Sequence, residues 1–585
     1  MNPPPAKDIH SYSNPQAVRV THLDLDLDVR FEEKILAGAV TLDVERLAEG
    51  PLILDTRGLA IEHAEADHGT GFHKAAFELG PADPILGAPL TIHVPKEVKQ
   101  VRVAYRTTPG ATALQWLEPA QTASRKQFLF TQSQAIHARS WIPLQDTPGV
   151  RQTYKARIRV PKDRIALMSA RHRADAGEGY HFSLPVAIPS YLIALAVGEL
   201  EFRSLGSETG VWAERPLIDA AAREFEDTQH MLEATEALYG PYQWNRYDVL
   251  VLPPSFPFGG MENPLLTFAT PTIIAGDKSL VSLVAHELAH SWSGNLVTNA
   301  TWSDFWLNEG FTVYVERRIL EAVYGRERAD MEAVLGKSSL LREMAKLKPE
   351  DQVLHQDLKG RDPDDAATDV PYEKGALLLL TIEYQVGREP FDRFLRSYFE
   401  HFQFRSITTA DFVAYLREHL GPLPSIPLDE WLYQPGIPAS AYEPKSAMLS
   451  RIESEARSWK DGRPAGQLAM AGWSTHEWLH FLQSLPRTMD PARMAELDQA
   501  FQFTGSRNGE IACEWLEMAI RNGYRAADRR VEEFLTSQGR RKYLKPLYEE
   551  LAKTPEGKRR AREIYAKARA MYHPIAAATV DAILR

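Results

Sequence analysis

The stretch from Val281 to Glu316, VSLVAHELAHSWSGNLVTNATWSDFWLNEGFTVYVE, decides how the rest of the chain is interpreted. Its first part predicts a helix with one buried face, because apolar residues recur at i, i+3, i+4 and i+7. These residues are Val281, Val284, Ala285 and Leu288. A second apolar run, FWLNEGFTVYVERRIL, predicts another helix, with Ser303 or Asp304 as its cap.

The first helix carries the pattern H-E-x-x-H at His286, Glu287 and His290. Residues four apart share one face of a helix, so both imidazoles reach the same metal ion. Glu287 lies beside them, where it can act on a metal-bound water. So short a pattern also arises by chance, and the alternative is two ordinary histidines on a helix.

A nearby carboxylate favours the metal interpretation. Glu309 follows His290 after a spacer of eighteen residues and lies on the second helix. Two histidines and one carboxylate leave the fourth position of a tetrahedral zinc ion open for water, which is a catalytic rather than a structural arrangement. Glu316, two turns further along the same face, is either a partner of a ligand imidazole or an exposed helix glutamate.

The composition is ordinary for a large globular protein: 585 residues, of which 44% are hydrophobic and 25% charged. A chain of this length exceeds one hydrophobic core, so about three domains are expected. The net charge of -11 and a pI near 6.0 argue against a nucleic-acid-binding protein. The single cysteine, Cys513, rules out an intrachain disulfide, and we expect it in the core of a helix.

The N-terminal sequence, MNPPPAKDIHSYSNPQ, lacks the basic and apolar regions of a signal peptide. No run approaches the roughly 18 to 20 apolar residues of a membrane span. These features predict a cytoplasmic enzyme without a membrane partner.

Three segments of the chain differ in their patterns. Residues 1–200 alternate apolar and polar positions, as in THLDLDLDVRF, and predict an all-β domain. Residues 201–440 are mainly helical, and residues 441–585 read as short amphipathic helices in an α-solenoid-like layer. A proline-rich segment at 421–447 reads as a linker with an ordered island around Trp431. The predicted fold class is multidomain α+β, with domain bounds 1–200, 201–440 and 441–585.

Other polar segments have roles that the residues alone leave open. The amide-rich and aromatic segment 127–150 is explained by local hydrogen bonds in a strand and loop. Gly259-Gly260 permits close approach by a ligand along a strand edge, or is a glycine turn. Tyr372 begins an apolar helix, where a tyrosine is usually core. The basic cluster Arg540–Lys542 is explained by the dipole of its helix and by solvation.

Three motifs together resemble the M1 zinc aminopeptidase family: GGMEN at 259–263, HELAHSW at 286–292 and NEGFT at 308–312. Segments along most of the chain are similar to its leukotriene A(4) hydrolase and aminopeptidase B branch, among them QSQAIHAR, PSFPFGGMENP, VPYEKG and SQGRRKYLKPLYEELA. The resemblance implies a saddle-like N-terminal β domain, a thermolysin-like zinc catalytic domain and a C-terminal α-helical domain.

The resemblance also implies the catalytic residues. It makes His286, His290 and Glu309 the ligands of one zinc ion per chain, and Glu287 the general base. It makes Tyr372 the residue that stabilises the tetrahedral oxyanion.

The remaining matches concern the substrate, which the resemblance implies is a short peptide with a free N-terminus. Glu262 would bind the α-amino group, and Gln134 would assist at that end. Arg540 and Lys542 resemble the pair that holds the carboxylate end of a short peptide. The residues expected along the peptide backbone are Gly259, Gly260 and Met261.

Three positions bear on a lipid epoxide as a substrate. Asp364 resembles the water-directing aspartate of the branch's epoxide hydrolase, but Ala367 and Phe258 stand where that enzyme has tyrosines. We therefore predict a zinc aminopeptidase, monomeric by family default, with a basic N-terminal residue favoured by Phe258 and by the aspartates near Asp364. The alternatives are a bifunctional enzyme that also hydrolyses a lipid epoxide of leukotriene A(4) type, and an inactive scaffold that binds peptides.

Overall fold

The structure is a computed structural model that describes residues 7–67, 69–175 and 179–585. This part of the chain forms an N-terminal β segment, a mixed segment that contains the H-E-x-x-H pattern, and a C-terminal helical segment. The order confirms the predicted fold class, multidomain α+β.

The N-terminal segment is built from strands. Eight of them form one sheet in the order β13-β14-β11-β1-β2-β8-β4-β5, and the smaller sheets are β3-β7-β6 and β12-β15-β10-β9. The strands are β1 (Val18–Arg30), β2 (Ile35–Arg46), β3 (Leu52–Thr56), β4 (Ala60–Asp67), β5 (Phe72–Lys74), β6 (Phe77–Leu79), β7 (Ala88–Ile92), β8 (Gln100–Arg106), β9 (Leu114–Leu117), β10 (Phe128–Thr131), β11 (Arg151–Arg159), β12 (Ile165–Met168), β13 (Arg171–Asp175), β14 (Gly179–Pro189) and β15 (Leu195–Gly198).

The alternating sequence of β1 explains its place in the large sheet. Leu23, Leu25 and Leu27 are fully buried, because successive side chains of a strand point to opposite faces. The intervening aspartates point to the other face of the sheet, in which β11 lies next to β1 and runs parallel to it. They form ion pairs across the two strands: Asp24 with Lys155, Asp26 with Arg157 and Asp28 with Arg159.

The mixed segment contains a five-stranded sheet in the order β16-β17-β18-β20-β19 and the helices around it. Its elements are β16 (Glu201–Ser204), β17 (Thr209–Ala213), α1 (Ile218–Glu224), α2 (Thr228–Tyr239), β18 (Tyr247–Val251), β19 (Gly260–Met261), β20 (Leu266–Ala269), α3 (Ser282–Ala289), β21 (Val297–Asn299), α4 (Trp306–Tyr324), α5 (Arg326–Met344), α6 (Gly375–Val386), α7 (Arg388–Phe402), β22 (Arg405–Ile407), α8 (Thr409–Leu420) and α9 (Leu428–Tyr433). Helix α3 packs against β19, β20 and α4. The expected strand edge beside the histidine helix is therefore confirmed, as β19.

The C-terminal segment consists of helices joined by short turns, as the sequence predicts. These helices are α10 (Ala447–Lys460), α11 (Thr475–Ser484), α12 (Pro491–Phe501), α13 (Gly509–Arg521), α14 (Asp528–Ser537), α15 (Arg541–Ala552), α16 (Pro555–Ala568) and α17 (Pro574–Leu584). Among the described residues, no helix combines the length and the apolar character that crossing a bilayer requires.

Two apolar cores hold these segments. One runs from Ala17 to Leu432 and is shared by the β segment and the mixed segment. The other joins Met331 of α5 to residues 449–584 and includes Cys513, which is buried as predicted. The fully buried Trp431 in α9 belongs to the first core and confirms the ordered island in the proline-rich segment.

The predicted cap of the second helix is wrong. Helix α4 begins at Trp306 after a 3₁₀ turn at Trp302–Asp304, and its N-cap, Phe305, makes no side-chain cap. The carboxylate of Asp304 is instead buried and accepts hydrogen bonds from N and Oγ1 of Thr409, at 2.9 and 2.7 Å. Asp304 therefore binds a residue 105 positions away in the sequence, and the start of α4 has no side-chain cap.

Candidate metal centre and active site

Helices α3 and α4 bring His286, His290 and Glu309 together. Oε2 of Glu309 lies 3.4 Å from Nε2 of His286 and 3.4 Å from Nε2 of His290. His290 directly follows the last residue of α3 and keeps a helical backbone. The two imidazoles therefore stay on one face, as the H-E-x-x-H spacing predicts.

The other ring nitrogen of each histidine has an acceptor. Nδ1 of His286 donates to Oε2 of Glu316 at 3.0 Å, and Nδ1 of His290 donates to the carbonyl oxygen of Ser293 at 2.8 Å. Because each Nδ1 carries the proton, each Nε2 keeps its lone pair for a metal. Glu316 is largely buried, so of its two predicted roles the partner of an imidazole is the one observed.

The arrangement fits a zinc ion. Tetrahedral bonds of about 2.0–2.1 Å place two ligand atoms about 3.4 Å apart, and the observed separations from Glu309 to each histidine are 3.4 Å. Oε2 of Glu309 is also buried without a hydrogen-bond donor among the described residues. A buried carboxylate oxygen in that state is costly, and a cation at this point would satisfy it.

Glu287 lies on the cleft side of α3, directly against β19. A Cβ atom on Gly260 would overlap the carboxylate of Glu287, and a Cβ atom on Gly259 would lie 2.9 Å from Nη2 of Arg540. Both glycines therefore allow a close approach that a larger residue would block. Oε2 of Glu287 is buried and has no hydrogen-bond partner in the described part of the chain.

Glu262 follows the strand edge and is the third buried carboxylate of the site with an oxygen that lacks a hydrogen-bond partner among the described residues. Its side chain is buried, and Oε1 accepts no hydrogen bond from the described residues. Glu262, Glu287 and His290 each offer an atom within 4.8 Å of the others. The backbone of Glu262 is fixed, because its carbonyl accepts a 2.7 Å hydrogen bond from Nδ2 of Asn295.

Burial and neighbouring charges shift the pKa values of the site's carboxylates in different directions. Burial raises the pKa of Glu262, and it raises the pKa of Glu287 to about 8 although the two imidazoles oppose it. Burial also acts to raise the pKa of Glu309, but the two imidazoles outweigh it and hold the pKa at about 2. Of these three carboxylates, Glu309 is therefore the one whose pKa favours the ionised form, as a metal ligand requires.

Tyr372 lies opposite α3. Its ring stacks on His286 with the centroids 6.1 Å apart, and it meets Phe305 edge to face at 6.0 Å. It belongs to a π-helical turn, Val370–Lys374, that continues directly into α6. Burial and the nearby Glu309, Glu262 and Glu287 raise the pKa of its hydroxyl well above the usual value, so the hydroxyl keeps its proton.

These groups line one cleft of about 770 Å³ to which all three segments contribute. The cleft lining also includes Arg540 and Lys542, which both pair with the buried Glu510 of α13, at 3.0 and 2.8 Å. Burial acts to raise the pKa of Glu510, but the two cations outweigh it and hold the pKa at about 2. The basic pair is therefore held in place by a carboxylate that the sequence did not point to.

The N-terminal segment contributes Gln134 and Ala135 to the cleft lining. Nε2 of Gln134 is buried without an acceptor among the described residues. Asp364 also lines the cleft, with Oδ1 accepting from N of Ala135 at 3.2 Å and Oδ2 from Nε2 of His137 at 2.9 Å. The Met261 side chain is buried and accepts from Nε2 of Gln132 at 3.2 Å, and Met261 does not line the cleft, whereas Gly260 and Glu262 on either side of it do.

Three family models match the chain: the peptidase M1 N-terminal domain at residues 19–192, the peptidase family M1 domain at 223–431, and the C-terminal domain of leukotriene A4 hydrolase at 473–584. A leukotriene A-4 hydrolase from Xenopus laevis is 36% identical over 597 residues, covering 97% of each chain. The chain belongs to peptidase family M1.

Other relatives of this M1 peptidase carry a different name. A leucine aminopeptidase 2 from Yarrowia lipolytica is 37% identical over 609 residues, covering 98% of this chain and 92% of the relative. The structure of yeast LTA4 hydrolase in complex with Bestatin has a TM-score of 0.92 at 33% identity, covering 100% of this chain and 98% of the other. The protein is thus an M1 zinc metallopeptidase of the leukotriene A4 hydrolase-like branch, and its relatives' names are divided over the activity.

The family ranges lie within the predicted domain bounds, which stay predictions. Two groups of residues that line the cleft were not predicted from the sequence. One group is Glu510, and the other is the ion pair of Arg317 and Glu373, in which Glu373 directly follows Tyr372. Neither has a local sequence pattern, because the partners lie 30 and 56 residues apart.

Proposed function

We propose that this protein removes N-terminal residues from short peptides. The observation that carries the proposal is the buried carboxylate of Glu262, which lies close to Glu287 and His290 and has one oxygen without a partner in the described part of the chain. An ammonium group on the substrate would satisfy that oxygen, whereas a blocked N-terminus would leave it unpaired. A free α-amino group anchored there puts the first peptide bond beside the metal centre.

His286, His290 and Glu309 would hold the zinc ion, which when bound supplies the Lewis acidity for activating water and polarising the scissile carbonyl. Glu287 accepts the proton of the attacking water at its carboxylate and returns it to the leaving amine. Its position supports this role, since Glu287 lines the cleft and its Oε2 has no hydrogen-bond partner among the residues that the structure describes.

Two further elements hold the reacting peptide. The hydroxyl of Tyr372, which keeps its proton, donates to the oxyanion, an interaction worth about 3 kcal/mol in comparable enzymes. The edge strand β19 offers backbone groups to an extended peptide, and Gly259 and Gly260 leave room for it.

The basic pair in the cleft lining supports short peptides as substrates. Arg540 lies against Gly259 and shares Glu510 with the more exposed Lys542. Their positive charges would bind a C-terminal carboxylate. A peptide held at both ends must be short enough to span the cleft.

The lipid-epoxide alternative has less support. Its proposed water-directing residue, Asp364, has both carboxylate oxygens in hydrogen bonds to the loop that contains Ala135 and His137. These contacts give Asp364 a role in joining the N-terminal segment to the cleft. The departures at Ala367 and Phe258 also remain.

We also predict that each chain binds one zinc ion and that the protein is monomeric and cytoplasmic. A preference for a basic N-terminal residue stays a prediction as well.

The test of function is product analysis by mass spectrometry. The zinc-loaded protein is incubated with an unblocked peptide of three to five residues, and in a second arm with leukotriene A(4). We expect stepwise loss of residues from the N-terminus only. Cleavage from the C-terminus, or turnover of the epoxide without any peptide cleavage, would overturn the proposal.

A further inference from the structure

We propose that the ion pair between Arg317 and Glu373 is a positioning device that holds the Tyr372 hydroxyl against the metal centre. The inference rests on the proposed function and adds two positioning residues to it. Neither residue is proposed to touch the substrate's reacting atoms.

The first observation is the backbone around Tyr372. The residue lies in the π-helical turn Val370–Lys374. Such turns are rare, occur mostly as single turns within α-helices, and are frequent at functional sites. A turn of this kind can place its side chain where a regular α-helix would not, so the contacts that maintain it set the direction of Tyr372.

The second observation is how firmly this turn is tied to its surroundings. Nη2 of Arg317 lies 2.8 and 2.6 Å from the two carboxylate oxygens of Glu373, and both side chains are more than four-fifths buried. Asp369, just before the turn, accepts from Oγ of Ser339 at 2.6 Å. At the other end, the buried Nζ of Lys374 donates to the carbonyl oxygens of Gln352 and Gln434 at 2.8 and 3.0 Å.

The third observation connects these ties to the metal centre. Helix α4 carries Glu309, then Glu316, which holds His286, and directly after it Arg317. The backbone of α4 also packs directly against the backbone of α6, since a Cβ atom on Gly310 would lie 2.7 Å from Cα of Gly375. One helix therefore bears a metal ligand, the partner of another ligand, and two contacts to the segment that contains Tyr372.

The ion pair also packs against Gly336 of α5. A Cβ atom on Gly336 would overlap both Nη2 of Arg317 and Oε2 of Glu373. The obstructing atoms are the ends of flexible side chains, so alanine at this position should shift the pair without unfolding the helix. Gly336 thus offers a second way to disturb the pair that removes no charge.

A matched control lies one residue further along α4. Arg318 pairs with Asp392 through two hydrogen bonds of 2.5 and 3.1 Å, in a comparably buried setting. This pair joins α4 to α7, and neither residue lines the cleft. Loss of either ion pair should affect stability, but only loss of the Arg317–Glu373 pair should affect Tyr372.

The experiment compares Glu373→Ala, Gly336→Ala, Asp392→Ala, Tyr372→Phe and the double variant Glu373→Ala/Tyr372→Phe. Zinc content, thermal unfolding midpoint, kcat and KM are measured with an unblocked aminoacyl arylamide. We expect Glu373→Ala and Gly336→Ala to lower kcat by about 10- to 100-fold, the loss typical of a displacement near 1 Å. KM and zinc content should stay within about twofold of wild type, and Asp392→Ala should leave kcat unchanged.

The double variant decides whether the pair acts through the tyrosine. If it does, the kcat of Glu373→Ala/Tyr372→Phe equals that of Tyr372→Phe alone. The inference is overturned if Glu373→Ala lowers kcat by the same factor in the Tyr372→Phe variant as in wild type. The ion pair would then act through Glu316 or the zinc ligands. A Glu373→Ala variant with wild-type kcat also overturns the inference.

A crystal structure of Glu373→Ala separates this inference from the proposed function. An inactive, zinc-loaded wild type would overturn the function, and the position of Tyr372 would still test the ion pair. We expect the hydroxyl to move by about 1 Å or more. A hydroxyl in its wild-type place would overturn the inference.

Discussion

The backbone of Gly260 packs directly against the carboxylate of Glu287, so that any Cβ atom at residue 260 would overlap that side chain. The strand edge and the candidate general base therefore depend on each other. A larger residue at 260 must displace either the base or the edge on which the peptide is expected to lie.

We expect Gly260→Ala to lower kcat/KM by about 100-fold, since small displacements of reacting groups have effects of that size. Zinc content should not change, because the ligands lie on α3 and α4. Gly466→Ala is the matched control, as a Cβ atom there meets no atom within 4 Å. Full activity in Gly260→Ala would contradict the close contact.

Glu287→Gln should bind zinc and fold normally but lose about 10²- to 10⁴-fold in kcat, the range for loss of a general base. The amide keeps the shape of the side chain but cannot take a proton from water. Steady-state kinetics and metal analysis on the same preparation measure both effects. Retained turnover would exclude Glu287 as the base.

Glu309→Gln and Glu316→Gln should weaken zinc binding to different degrees. Glu309→Gln removes a charged ligand, so metal should be lost on dialysis. Glu316→Gln removes only the acceptor of Nδ1 of His286, and we expect a zinc dissociation constant about 10- to 100-fold higher. Competition with a chelator measures both variants. Equal zinc affinity in Glu309→Gln and wild type would contradict the assigned ligand set.

Arg540→Ala should affect substrates with a C-terminal carboxylate. For a tripeptide we expect KM to rise about tenfold or more, since hydrogen bonds to charged groups contribute about 1.5–3 kcal/mol. The same tripeptide with a C-terminal amide is the control, and its KM should change little. If KM rises equally for the peptide acid and the peptide amide, Arg540 supports the cleft lining without binding the carboxylate.

The parts of the site that the sequence predicted are those with local spacing. His286, Glu287 and His290 lie within one helical turn and a half, and Glu309 falls on the next long helix. Their convergence follows from helix periodicity and the packing of α3 on α4. The alternation in β1 likewise predicted the buried face of the large sheet.

The parts that escaped prediction depend on tertiary partners. Asp304 binds Thr409 instead of capping α4, and Glu510 joins Arg540 and Lys542 from another helix. The partner of Asp364 is His137, which lies 227 residues away. No helical or strand period connects such residues, so only the folded chain brings them together.

The most direct test of the account compares an aminoacyl arylamide with its N-acetylated form, for wild type and Glu262→Ala. We expect wild type to cleave the free substrate at least about 100-fold faster, because acetylation leaves a buried carboxylate unpaired at a cost of about 3–5 kcal/mol. Chelation should abolish this activity and zinc should restore it. In Glu262→Ala the preference should fall to nearly one, through slower cleavage of the free substrate. Equal cleavage of free and acetylated substrates by the wild-type enzyme would contradict the account.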